Sequence, residues 1–270
     1  LDESKYAKMV ANRSNFKNES LFATPDQFIN NFSEWMYYND DPVSDPSALA
    51  LMLLSDFARG GGMKVMLSGE GGDELFGGYN SYLRFSFTKK FTMIMNFLNL
   101  FNFDFIDRFD FRLNDYAKNK SRFFWGTAHI TNQKMRNGLF LNSNNDLENY
   151  FLKIFNKFEG FQPLRKAMLF DQVIRLPQEV LGRTDRATMG RSLEARVPLL
   201  NYKLVEFANC LDDNLCIKGF NPKYILKRVA EKIIPKETIY RKKMGFDLPV
   251  GEWIKTHFKD RILHYVDDKK

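Results

Sequence analysis

Cysteine is scarce in this sequence. Of 270 residues only Cys210 and Cys216 are cysteines, six apart beside the apolar run LVEFANCL. That spacing fits neither a disulfide framework nor a metal knuckle, so a reducing, cytoplasmic setting is the natural expectation. Histidine is nearly as rare: His129, His257 and His264 are scattered, which argues against a zinc site built by protein alone. No signal-peptide pattern opens the sequence. The longest apolar run, FTMIMNFLNLFNFDFIDRFDF from Phe91, is interrupted by Asn96, Asn99, Asn102 and Asp104. Polar positions recurring every two or three residues suit an amphipathic helix and not a membrane span. The exposed side of such a helix is a surface through which two copies could pair as a homodimer. The common nucleotide motifs G-x-x-x-x-G-K-[ST] and G-x-G-x-x-G are both absent.

Charge is not one-sided either. Lysine plus arginine number 40 against 33 acidic residues, a net +7 that suits a polyphosphate ligand or simple solubility. Basic clusters are short, such as Arg241-Lys242-Lys243, and no basic stripe interleaved with aromatics marks a nucleic-acid surface. Apolar residues at 44% place the chain among ordinary globular proteins, and its length allows one large core or two smaller ones.

Local signals then give the organisation. The sequence begins at Leu1 with a helical pattern already under way, which suggests a piece of a longer chain. NESLFAT reads as a short strand. In TPDQ, Thr24 can cap a helix, Pro25 can occupy its first position and Gln27 can complete a capping box. Phe28, Phe32, Trp35 and Met36 then share one helical face. Asp45 and Pro46 open a second helix, apolar on nearly all sides and stopped by Gly60-Gly61-Gly62. KVMLSG follows as a candidate buried parallel strand. LENYFLKIFNKF, PLRKAMLFDQVIRL, NYKLVEFANCL and NPKYILKRVAEKI are periodic helical segments further on. The expected fold class is α/β: part of a parallel sheet with flanking helices over 1–80, then a mostly helical part over 81–270.

The densest chemistry lies in VMLSGEGGDELFGGYNSY, where Glu70, Asp73 and Glu74 stand among glycines. In open parallel sheets ligands bind at the carboxyl ends of strands, here Ser68-Gly69-Glu70. Glycines there let backbone amides approach phosphate, and the following helix start adds partial positive charge. Carboxylates beside polyphosphate need a cation between them, so Asp73 suits magnesium, and Glu70 could accept a proton or position a nucleophile. A plainer reading also stands, in which acids in a first helical turn complement its dipole and glycines make turns.

LSGEGGDELFGGY resembles the second signature of the synthetase domain of glutamine-hydrolysing asparagine synthetases. RTDRATMGRSLEARVPLLNYKLVEFA resembles that family's Asp-Arg-x-Ser-Met…Glu-x-Arg-Val-Pro-Phe-Leu segment, and KYILKRVAEKIIPKETIYRKKMGFDLPVGEW its closing region. LDESKYA and DDPVSDPSALALMLLS fall in family order, so the likeness runs nearly end to end. It implies an adenine-nucleotide-binding sheet and ATP-pyrophosphatase chemistry. ATP adenylates a carboxylate, pyrophosphate leaves, and ammonia attacks the acyl-adenylate to give an amide. Aspartate is the implied acceptor; related enzymes act on carboxylates of sugars or peptides.

Position by position, the resemblance makes Asp73 the magnesium ligand and Glu70 the catalytic Glu that helps the ammonia-attack step. It makes Lys223 the lysine that reaches the phosphates, and assigns Ser68, Gly69, Gly71, Asp73 and Arg183 to nucleotide binding. Arg196 reads equally as an ion-pair partner of Glu194, and Lys243 with Gly245-Phe246 matches a closing loop. ATP and Mg2+ are thus the implied cofactors, with ammonia supplied by a glutaminase domain. Two family parts have no counterpart in these residues: the Ser-Gly-Gly-x-Asp-Ser nucleotide loop and the glutaminase domain with its N-terminal cysteine. The resemblance therefore implies that the 270 residues work only within a longer chain, and a non-catalytic nucleotide- or partner-binding remnant is the contrasting reading. Lys242 and Asp247 depart from the family's usual Pro and Gly.

Overall fold

The computed structural model describes residues 2–39, 45–86, 138, 146–242, 245 and 248–266. The Phe91 run, His129 and most of the closing loop (Lys243, Phe246, Asp247) lie outside the described residues. The expected α/β class is what the chain adopts: mostly helical, with a small parallel sheet. Contacts divide it into two compact units, neither of them one continuous segment.

The first unit comprises Leu1–Ser68, Val180–Pro198 and Lys227–Lys270. Its helix Pro25–Asn39 starts as the sequence dictates. Gln27 N–H donates to Thr24 Oγ1 at 3.2 Å, and Thr24 N–H donates to Gln27 Oε1 at 3.0 Å, a complete capping box. The apolar face divides. Phe28 and Trp35 are buried, whereas Phe32 and Met36 are exposed, because the neighbouring helices cover a stripe narrower than the sequence periodicity. Phe28 meets Trp253 edge-on at 5.7 Å and stacks with Phe258 at 6.1 Å, joining Leu49 and Met52 in this unit's core. Helix Ser47–Gly60 begins one residue later than expected, with Pro46 at its N-cap, and Asp45 just ahead accepts from Ser47 N–H at 2.9 Å.

Strand β1 (Val65–Leu67) pairs in parallel with β2 (Glu194–Arg196), with Met66 opposite Ala195. The parallel pairing matches expectation; the burial does not. Val65 and Leu67 are exposed at 40% and 70%, so only Met66 turns inward, because β2 is the single partner strand among the described residues. NESLFAT is irregular backbone and not a strand; its Phe22 faces solvent and no ladder partner is described for it. No helix among the described residues is long and apolar enough to cross a membrane.

The second unit comprises Gly69–Glu179 and Leu199–Leu226. Helix Pro163–Val173 carries Pro163 at its first turn and buries Leu164, Ala167, Met168 and Asp171, the spacing of a single helical face. These residues pack with Tyr82, Phe85, Phe155 and Ile217 in one core, and Leu75, Phe76 and Ala208 form a second. Helix Tyr202–Asn209 is capped by the Asn201 side chain. Strands β3 (Ile217–Lys218) and β4 (Asn221–Pro222) form a minimal hairpin around Gly219 and deliver the chain to Lys223. Buried Arg165 ties this unit together, donating to Asp213, to the carbonyls of Ala208 and Leu211, and to Cys216 Sγ. Burial pushes the Cys216 thiol up, and both cysteines are free.

Candidate active site

The opening glycines have separate reasons. Gly71 has φ +80°, and a Cβ there would fall 2.3 Å from Leu200 Cδ2. Gly72 lies against Leu199 in the same way, at 3.0 Å. The leucines of RVPLL thus pack on the glycines of GEGGDE, joining two motifs far apart in sequence. Gly77 has φ +68° and backs onto Ile217. Gly78 is different: its φ is ordinary, but a Cβ would fall 1.9 Å from Asp73 Oδ1 and 2.2 Å from Lys223 Cε. A Cβ at Gly69 would meet no protein atom within 4 Å, so the fold gives no reason for glycine there.

The helix after this turn, Gly72–Phe76, has only five residues. Its aligned peptides are too few for the dipole that the sequence suggested, and the positive charge comes instead from a side chain. Lys223 Nζ lies 3.1 Å from Asp73 Oδ1, both side chains about three-quarters buried. Lys223 also has φ 54°, the left-handed region that a long L-residue adopts at a cost of about 1–2 kcal/mol. Such strain persists only where surrounding structure holds it, and it concentrates at functional sites. Glu70, three residues before Asp73, is half-buried, with one carboxylate oxygen almost removed from solvent.

Glu74 takes no part in that cluster. It is 1% exposed, accepts from Tyr79 Oη at 2.6 Å, and lies 3.6 Å from Arg175 Nη1. Arg175 in turn donates twice to Glu179, at 3.1 and 3.2 Å. Burial, then the Glu74 charge, raises the Tyr79 phenol far above its usual value, so it remains a donor. Sequence reasoning grouped the three acids and missed this division, because Arg175 and Tyr79 become neighbours only on folding. It also missed Tyr82, whose hydroxyl donates to buried Asp171 at 2.6 Å.

The remaining expected site residues belong to the first unit. Ser68 closes β1, its N–H donating to Arg196 O at 2.8 Å. Arg183 donates to Ser47 Oγ at 2.8 Å and pairs with the Asp45 carboxylate. Arg196 makes the surface pair with Glu194, at 2.8 Å, that its spacing allowed. Among the described residues, then, Gly71, Asp73 and Lys223 are brought together, with Gly69 and Glu70 on the same turn.

Can this set hold magnesium? No group of three or more His, Cys, Asp or Glu among the described residues could hold a metal ion. Magnesium commonly takes only one or two carboxylates and completes its shell with phosphate and water oxygens. One hard oxygen donor beside an ammonium, in a space kept open by Gly78, fits that mode.

The first unit thus carries a short parallel pair and the second a glycine turn with a carboxylate–lysine pair, the features of an α/β protein. The chain belongs to the asparagine synthase family, which it matches over residues 1–270. It is similar to asparagine synthetase [glutamine-hydrolyzing] 1 of Bacillus subtilis (strain 168), at 28% identity over 98% of this chain and 43% of that protein. A putative asparagine synthetase of Mycobacterium tuberculosis (strain ATCC 25618 / H37Rv) is 27% identical over 85% of the chain and 36% of its own length. Amidase chyE of Penicillium rubens is 21% identical over 93% of the chain and 42% of its own length. The chain therefore spans less than half the length of these relatives.

Proposed function

We propose that this chain is the synthetase portion of an ATP-dependent amidotransferase that converts the aspartate side chain to asparagine. The observation that carries the reading is Lys223, strained at φ 54° and set 3.1 Å from Asp73 in a space that Gly78 leaves open. The acceptor carboxylate oxygen attacks the α-phosphorus of ATP and pyrophosphate leaves. Ammonia nitrogen then attacks the acyl carbon, AMP leaves with the bonding electron pair, and nitrogen loses a proton.

Each residue has a task in that sequence. Asp73 would hold magnesium, which when bound supplies charge neutralisation to the phosphates. Lys223 stabilises the charge that develops on the departing pyrophosphate. Glu70, partly withdrawn from water, takes the proton from the attacking ammonia. Gly69 and Gly71 leave their backbone open to phosphate. Ser68 and Arg183 keep, as part of this proposal, the nucleotide-binding roles that the family resemblance implies.

The test is direct. The complete gene product, given ATP, aspartate and either glutamine or ammonium, should release pyrophosphate and form asparagine. Glu70→Ala and Asp73→Ala should each lower turnover by about 10²–10³-fold. Undiminished turnover in Asp73→Ala would remove the metal assignment. A second reading keeps this chemistry and changes the acceptor, as the family resemblance allows. Pyrophosphate release with a sugar or peptide carboxylate and none with aspartate would decide for it.

A further inference from the structure

Asp73 is followed directly by a carboxylate that the proposed chemistry does not use. Glu74 is almost fully buried on a one-turn helix, an expensive place for a charge. It is held there from several sides. Tyr79 Oη donates to its Oε1 at 2.6 Å, and Arg175 Nη1 stands 3.6 Å from the same oxygen. Gln172 Nε2 donates to its backbone carbonyl at 3.2 Å and exchanges hydrogen bonds with Asn209 at 3.1 and 2.9 Å. Arg175 is itself oriented by the two bonds to Glu179, with its guanidinium carbon 4.7 Å from the Tyr79 ring centroid. One residue nearer, Gly78 N–H donates to the carbonyl of Asp73 itself at 2.8 Å.

We infer that Glu74, Tyr79 and Arg175 form a clamp of positioning residues that fixes the Asp73 carboxylate against Lys223. The inference rests on the proposed role of Asp73 and Lys223 toward a metal–nucleotide. Stability alone does not account for the clamp, since apolar residues of similar volume usually replace a buried ion pair without loss. What the charged set adds is direction. The backbone carbonyls of Asp73 and Glu74 are both tied down, Arg175 faces the Glu74 carboxylate, and the Asp73 side chain is left to face the ammonium. The rigid guanidinium bonds Glu179 through Nε and Nη2 while turning Nη1 toward Glu74, a fixed geometry that the flexible lysine ammonium does not enforce.

Two variants of the complete gene product test this, Arg175→Lys and Tyr79→Phe, with Asp73→Asn as the reference. The first readout needs no nucleotide: the acylation rate of Lys223 Nζ, relative to exposed lysines, measured by mass spectrometry. Release from the Asp73 carboxylate should speed the reaction in Asp73→Asn, and each clamp variant should move several-fold toward that value. The second readout is kinetic: KM for Mg·ATP should rise by about tenfold while kcat changes less than about threefold. Should Arg175→Lys fail to fold, Tyr79→Phe decides alone, since it removes one hydroxyl and keeps the ring. An unchanged Lys223 rate in the folded clamp variants overturns the clamp. So does an Asp73→Asn reference that leaves Lys223 no faster, or an unchanged KM in active enzyme. A wild-type protein that releases no pyrophosphate instead overturns the functional reading, and the acylation rates still decide the clamp.

Discussion

Lys223 and Asp73 meet in a space that exists because residue 78 has no side chain. The ammonium lies 3.1 Å from Asp73 Oδ1, and a Cβ at Gly78 would fall 1.9 Å from that same oxygen. The pair and the glycine are one arrangement, and they separate function from folding in a way that substitutions can read.

Gly78→Ala meets only the ends of movable side chains, at an ordinary φ. Its stability should change by less than about 1 kcal/mol, whereas nucleotide-dependent turnover falls at least tenfold, by roughly the penalty of a misplaced group. Gly77→Ala should do the opposite. It demands φ +68° of an alanine and presses on Ile217, so it should cost about 1–2 kcal/mol or more, with turnover kept in the molecules that fold. Denaturant unfolding beside a pyrophosphate-release assay separates the two outcomes.

Lys223→Gly should relieve backbone strain while removing the charge. Thermal unfolding is expected at or above the wild-type temperature, with turnover lost, because strained functional residues commonly trade stability for activity. A clear drop in unfolding temperature would mean that Lys223 serves the fold.

Tyr82→Phe removes the hydroxyl that donates to Asp171 at 2.6 Å in a fully buried setting. The ring volume is kept, so the expected cost of about 1–3 kcal/mol is that of a buried carboxylate losing a donor. Urea unfolding should show a lower midpoint with an unchanged slope.

The Asp45 pair predicts a pH dependence. Burial would raise the Asp45 pKa, but hydrogen bonds from Ser47 and the charge of Arg183 outweigh it and hold the group below its ordinary 3.8. A depressed folded pKa contributes stability that is fully present above the unfolded value and lost as pH falls through the folded one. Wild-type should therefore exceed Asp45→Asn in unfolding temperature at neutral pH, with the gap closing below about pH 4. A gap that stays constant into acid would contradict the pairing.

These features differ in how far the sequence reveals them. The Thr24–Gln27 capping box was readable because both partners lie within one helical turn. The helices Pro163–Val173 and Tyr202–Asn209 were readable from apolar spacing. The glycine–acid turn announced itself by composition, and resemblance directed attention to Lys223. What local pattern cannot carry is the identity of neighbours. Phe32, Met36, Val65 and Leu67 are apolar yet exposed, since burial depends on what packs over them. The reason for glycine at 78 comes from Lys223, and the role of Glu74 comes from Arg175 and Tyr79, all settled by folding. Lys223 could be picked from the sequence; its left-handed backbone could not.

The central claim is that Asp73 and Lys223 together hold a magnesium–nucleotide. Calorimetric titration of the complete gene product with Mg2+ and a non-hydrolysable ATP analogue tests it most directly, comparing wild-type with Asp73→Asn and Lys223→Ala. Both variants should keep the wild-type fold and bind at least about tenfold more weakly, a loss of about 1.4 kcal/mol or more. Wild-type affinity in both folded variants would contradict the account.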